Sequence, residues 1–141
     1  MASYQKFQDY AEQLNKGVHN WSAHTFKALL TNTAPTAADT GASAWTEISA
    51  GNGYSAGGMT LDTVTLTESS GTAKVTIADE VLTASGGSIG PFRYVCIYND
   101  TATSPADAAV AYFDYGSSIT LASGETFTLD FDGTNGLWQL A

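Results

Sequence analysis

Ile89-Gly90-Pro91-Phe92-Arg93-Tyr94-Val95-Cys96-Ile97-Tyr98 is the most apolar run in the chain, and its apolar residues fall on both parities. Phe92, Tyr94, Cys96 and Tyr98 occupy one face of an extended segment, while Val95 and Ile97 occupy the other. Side chains alternate across a strand, so a strand apolar on both sides sits centrally in a sheet covered on both faces. Outward from it, Ala108 to Tyr115 and Ile119 to Leu121 read as further strands, with Asn99 to Ala106 as a loop. Thr126 to Phe131 alternates Phe127, Leu129 and Phe131 against Thr126, Thr128 and Asp130, a strand with one wet face. Gly133-Thr134-Asn135-Gly136 turns into a last strand over Leu137 to Ala141.

On the N-terminal side the same signals recur. Ala73, Val75 and Ile77 alternate after a Ser69-Ser70-Gly71 turn, and Val81 to Ala84 is short. Met59 to Thr67 changes apolar parity near Asp62-Thr63, which predicts a bulge there. A short strand is predicted around Trp45 to Ile48, and another from His24 to Thr31, closed by Asn32-Thr33-Ala34-Pro35. About eight to ten short strands with turn signals every 8–12 residues predict an all-β antiparallel β-sandwich or jelly-roll-like domain.

One segment breaks the pattern. Tyr4, Phe7, Ala11 and Leu14 recur at helical spacing, with Ser3 as N-cap and Gly17 as stop. The expected organisation is an N-terminal amphipathic helical arm over residues 1–20 and a β-sandwich domain over 21–141. A lone helix ahead of a sheet either packs across it or docks on a neighbour.

The whole chain has 141 residues, enough for one ordinary core. Charged residues make up only 13%, and 14 acids against 5 bases give a net charge of −9. The bases stand singly (Lys6, Lys16, Lys27, Lys74, Arg93), so neither nucleic acid nor an anionic membrane is an expected partner. Cys96 is alone and reads as a small buried hydrophobe. The polar, amphipathic stretch from Ser3 to Lys16 does not resemble a signal peptide, and no run reaches membrane-spanning length. A soluble protein made in the cytoplasm is expected.

Candidate chemistry is sparse. His19 and His24 lack a nucleophile elbow or a metal-binding helical spacing, and capping or polar positions explain both. Asp130 to Gly136 has calcium-loop letters without the spaced third acid or the later Glu, and a hairpin turn explains it. Asp79-Glu80 is an acidic pair at a turn. Gly51-Asn52-Gly53-Tyr54 has no following lysine or helix to make a phosphate loop. No catalytic, cofactor or metal residues are assigned, and an enzyme is not expected. Trp21, Trp45, Trp138 and seven tyrosines fit either packing or a sugar-binding face.

Several segments together carry a family resemblance: Gly17-Val18-His19-Asn20-Trp21, Phe26 to Pro35, Gly51-Asn52-Gly53-Tyr54, Gly90-Pro91-Phe92-Arg93-Tyr94, Tyr98-Asn99-Asp100-Thr101, Asp114 to Leu121 and Gly124-Glu125-Thr126-Phe127. From Gly17 onward the chain resembles small virion proteins of tailed bacteriophages, of the capsid decoration or cement type. The resemblance implies a homotrimer at three-fold or quasi-three-fold positions on the outer surface of the capsid. There it would bridge major capsid protein subunits and stabilise the shell, with no cofactor. Tyr4, Phe7, Tyr10, Leu14 and Trp21 are the expected partner-binding residues. A tail or head-tail structural subunit, and a carbohydrate-binding β-sandwich module, remain alternative roles.

Overall fold

A computed structural model describes residues 2–141. Among them the chain forms ten strands and one α-helix. In chain order these are β1 (Ser3–Lys6), α1 (Gln8–Asn15), β2 (Phe26–Thr31), β3 (Met59–Thr60), β4 (Thr65–Ser69), β5 (Thr72–Thr76), β6 (Glu80–Thr83), β7 (Ile89–Thr103), β8 (Ala106–Leu121), β9 (Thr126–Leu129) and β10 (Trp138–Leu140). One layer is a five-stranded sheet in the order β1-β8-β7-β2-β3. The opposing layer is built from a three-stranded sheet, β10-β5-β4, and the pair β6-β9. Every strand pairing is antiparallel, and the fold is an all-β sandwich with one N-terminal helix.

The doubly apolar run is the centre of the larger sheet. Val95 and Ile97 face the opposing layer together with Phe26, Ala28 and Leu30 of β2, and meet Val75, Leu82 and Leu129 there. Cys96 and Tyr98 face the other way, into a smaller cluster with Phe7, Leu29, Trp45 and Ala109. The segment after β2, with a 3₁₀ turn at Ala42–Ala44, covers that second face. Burying each large side chain of these two clusters stabilises the fold by roughly 1.5–3 kcal/mol.

Four expectations change. The strand β7 runs on to Thr103 and turns back at Ser104-Pro105, so the predicted loop over Asn99 to Ala106 is the end of a long hairpin. Asn99 is fully buried there, and its amide donates to the Val18 carbonyl and accepts from the Thr101 N–H, which offsets the cost of burying it in the sheet. No strand forms at Trp45 to Ile48; Glu47 makes a single bridge to Thr31. The parity change near Asp62-Thr63 is a break rather than a bulge. β3 belongs to the larger sheet and β4 to the smaller, and Thr63 takes φ +47° where the chain crosses between them.

The fourth change concerns the N-terminus. Ser3–Lys6 is a strand in register with Ala111 to Asp114 of β8, and the helix begins only at Gln8, with Phe7 in the capping position. Ser3 therefore caps nothing. Gly17 does end the helix, at φ +79°, with its N–H bonded to the Leu14 carbonyl at 3.1 Å. Residues 1–20 were expected to be an arm, yet in this fold Phe7 and Tyr10 are core side chains. Pairing with β8 supplies the backbone hydrogen bonds that a free helical extension would otherwise have to form alone.

Candidate functional site

One open side of the sandwich carries an aromatic seam. β1 is the outermost strand of the larger sheet, and the space between it and the opposing layer is not closed over. Tyr4 stands opposite Phe113, and their ring centroids lie 5.4 Å apart. Phe113 meets Phe131 at 6.2 Å, edge to face. Further along, Tyr115 and Phe127 lie 6.0 Å apart, and Phe127 stands edge-on to Phe92 at 5.1 Å. Such edge contacts satisfy the ring quadrupoles and hold the rings in place. Tyr4 and Tyr115 nevertheless stay 38% and 45% exposed, the two exposed aromatics among the described residues.

Two depressions open along the seam. One, of about 160 Å³, lies among Phe113, Tyr115, Phe127 and Phe131. The other, of about 240 Å³, lies among Tyr4, Phe131 and Leu137 and is rimmed by Asp130 and Asp132. Asp132 accepts hydrogen bonds at 2.8 Å from the backbone N–H groups of Thr134 and Asn135, and its other oxygen accepts from Asn135 Nδ2 at 2.7 Å. The Asn135 bonds, then the Thr134 bond, hold the carboxyl below its usual pKa, so it stays an anion. Partial burial pushes the Tyr4 phenol up, so that ring stays neutral.

The residues expected to bind a partner divide. Tyr4 lies on the seam. Leu14 is half-buried beside Trp138 and Leu140. Phe7 is fully buried, its ring 5.3 Å from Trp45 and 5.1 Å from Tyr112. Tyr10 is buried, and its hydroxyl accepts a 2.7 Å hydrogen bond from Trp21 Nε1. Trp21 is itself buried, stacked on Phe26 at 3.7 Å with the planes 1° apart. These three cannot touch a partner while the core is closed. The seam residues Phe113, Tyr115 and Phe127 were legible as strand positions, but nothing in their spacing said that two layers would leave Tyr115 exposed and the other two part-exposed above the buried Phe131.

The remaining candidates resolve into structural roles. Asn99 Nδ2 faces the Val18 carbonyl at 3.2 Å, His19 Nδ1 at 3.3 Å and His24 Nδ1 at 3.0 Å, which pins residues 18–24 to β7. Burial, then the neighbouring His24, push the His19 imidazole down to about 4 despite the opposing pull of Asp9. It is neutral near pH 7, and its buried Nε2 has no partner. The glycine-rich loop is tied down by Tyr54, whose hydroxyl accepts from the Leu30 N–H at 3.0 Å and donates to Glu47 at 2.8 Å. Asp79 accepts from the Phe131 N–H at 2.8 Å. Trp45 turns its ring into the second cluster, with Nε1 donating to Asp39 at 3.0 Å. Burial raises the Cys96 thiol pKa, so it carries no thiolate.

Among the described residues no three metal-ligating side chains converge, and no helix is long and apolar enough to cross a membrane. Comparison with protein-family models, with curated proteins and with solved structures returned no match. What this geometry offers is an apolar, aromatic surface with an acidic rim, suited to binding.

Proposed function

We propose that this chain is a virion structural protein of the capsid decoration type, which binds the outside of an assembled phage head and bridges major capsid protein subunits. The observation that carries the reading is the open aromatic seam beside the outermost strand, an apolar surface with an acidic rim. The phage assignment draws on the sequence resemblance from Gly17 onward. Aromatic side chains are enriched where protein surfaces meet, because they bring large contact area at low entropic cost.

Attachment to the mature lattice alone stabilises it by mass action, since a ligand favours whichever state it binds. A homotrimer at three-fold or quasi-three-fold positions would multiply weak individual contacts. The acidic, lysine-poor surface keeps such a protein from packaged nucleic acid.

Cryo-electron microscopy of particles made by the parent phage, with icosahedral averaging, tests the proposal. Density of this fold outside the shell is the expected result, with particles carrying Tyr115→Glu chains losing that density. A bare shell, or the protein found only at the tail, overturns the decoration role. Undiminished occupancy by Tyr115→Glu overturns the seam as the attachment face.

A further inference from the structure

Resting on the seam as the attachment face, we propose further that the outer edge of β1 takes an extended, basic protein segment. The segment adds as a strand beside Tyr4 and Lys6 and sets apolar side chains into the seam.

The phase of β1 determines which backbone groups are free. Lys6 is in register with Ala111, and the Phe7 N–H bonds to the Val110 carbonyl at 3.1 Å. Hydrogen-bonded pairs alternate in an antiparallel ladder, so Ser3 and Gln5 also turn their backbone groups toward β8. Tyr4 and Lys6 turn theirs outward. All four residues of β1 are exposed, and β8 is the strand's sole ladder partner among the described residues. An unpaired edge of this kind is a template for another strand.

The side-chain chemistry next to that edge selects the occupant. A strand laid against β1 continues the row that runs from Phe113 to Tyr4, so its side chains on that face enter the depression beside Phe131 and Leu137. At its rim Asp130 and Asp132 form no salt bridge among the described residues, and Lys74, the nearby base, donates to the Thr134 carbonyl at 2.7 Å. Lysine or arginine interleaved with apolar residues meets both demands. A second copy of this chain does not fit as well. Of its two fully exposed edge strands, β4 carries Glu68 and no base and β1 offers the single base Lys6, and each copy brings a charge of −9. The same charge draws a basic segment in from a distance, most strongly at low salt.

The test is titration of the full ¹⁵N-labelled protein with an end-blocked peptide of alternating lysine and valine, beside one of alternating glutamate and valine. Saturable amide shifts over residues 3–6, 113–115 and 127–132 are expected, with binding at least tenfold weaker for the glutamate peptide. Lys6→Pro removes an outward N–H as well as a cation and leaves the β8 pairs intact, so against Lys6→Gln, which removes only the cation, it should weaken binding at least tenfold. Asp130→Lys, at an exposed position, should abolish the preference for the lysine peptide. Absence of shifts in those residues, equal binding of the two peptides, or no effect of either substitution would overturn the strand-addition mode. Loss of particle attachment in Tyr115→Glu alongside a silent titration would leave the attachment face standing and remove only this mode.

Discussion

Trp21 Nε1 donates a 2.7 Å hydrogen bond to the hydroxyl of Tyr10, and both residues are buried. The bond ties α1 to the segment that leads into β2, while the Trp21 ring stacks on Phe26. It is the point where the helix becomes part of the sandwich core. Tyr10→Phe keeps the ring and strands the buried indole N–H. The expected loss is about 1–3 kcal/mol in chemical denaturation, and a loss below roughly 0.5 kcal/mol would mean that the bond adds little.

Removal of residues 2–16 takes out Phe7 and Tyr10 together with the β1 pairing. Truncating a buried aromatic alone costs roughly 3–5 kcal/mol, against a total stability of about 5–15 kcal/mol for a domain. The shortened chain should therefore lose its cooperative thermal transition and near-UV circular dichroism. A well-folded truncated protein would show that the helix is a detachable arm after all.

Two glycines with the same backbone demand should respond differently to alanine. Gly58 has φ +92°, and a Cβ there would come within 2.1 Å of the Ala28 carbonyl oxygen. Gly86 has φ +80° with nothing within 4 Å. Gly86→Ala should cost about 1 kcal/mol from the backbone conformation alone. Gly58→Ala should cost several-fold more, because the loop must lift off β2. Thermal melts of the pair, compared side by side, check this.

Acid should weaken the fold through His19. Its imidazole is held neutral down to about pH 4 by burial and by His24, whereas an unfolded histidine titrates near 6.5. Below pH 6.5 the unfolded chain takes up the proton first. The stabilisation from neutral His19 is thus complete above pH 6.5 and is lost as the pH falls toward 4. His19→Gln should flatten this part of the stability profile measured by urea denaturation between pH 4 and 7. An unchanged slope would assign the acid sensitivity to the carboxylates.

The strands were legible where their information is local. Both faces of the run from Tyr94 to Tyr98 are apolar, and both are buried. The turn at Ser70-Gly71 joins β4 to β5 with positive φ at both residues, as its composition demands. The N-terminus misled because Tyr4 and Phe7 extend the helical stripe of Ala11 and Leu14, while the pairing that makes Ser3–Lys6 a strand lies about a hundred residues away. The seam was hidden for a related reason. Phe127 and Tyr115 differ from core aromatics only in where the opposing layer stops, a property of the assembled sandwich.

That long-range pairing has a consequence during synthesis. Ser3 to Lys6 leave the ribosome early, but their partners Ala111 to Asp114 follow only after roughly 5–20 s at ordinary elongation rates. Until then the first strand has nowhere to dock, and Phe7 and Tyr10 wait in solvent. A chain that stops before β8 never completes β1, and one that stops before Phe127 lacks the opposing wall, so neither displays the edge and seam together. A seam displayed beside a completed β1 thus certifies that synthesis has reached Leu137, and an assembly that selected on it would leave shorter translation fragments behind.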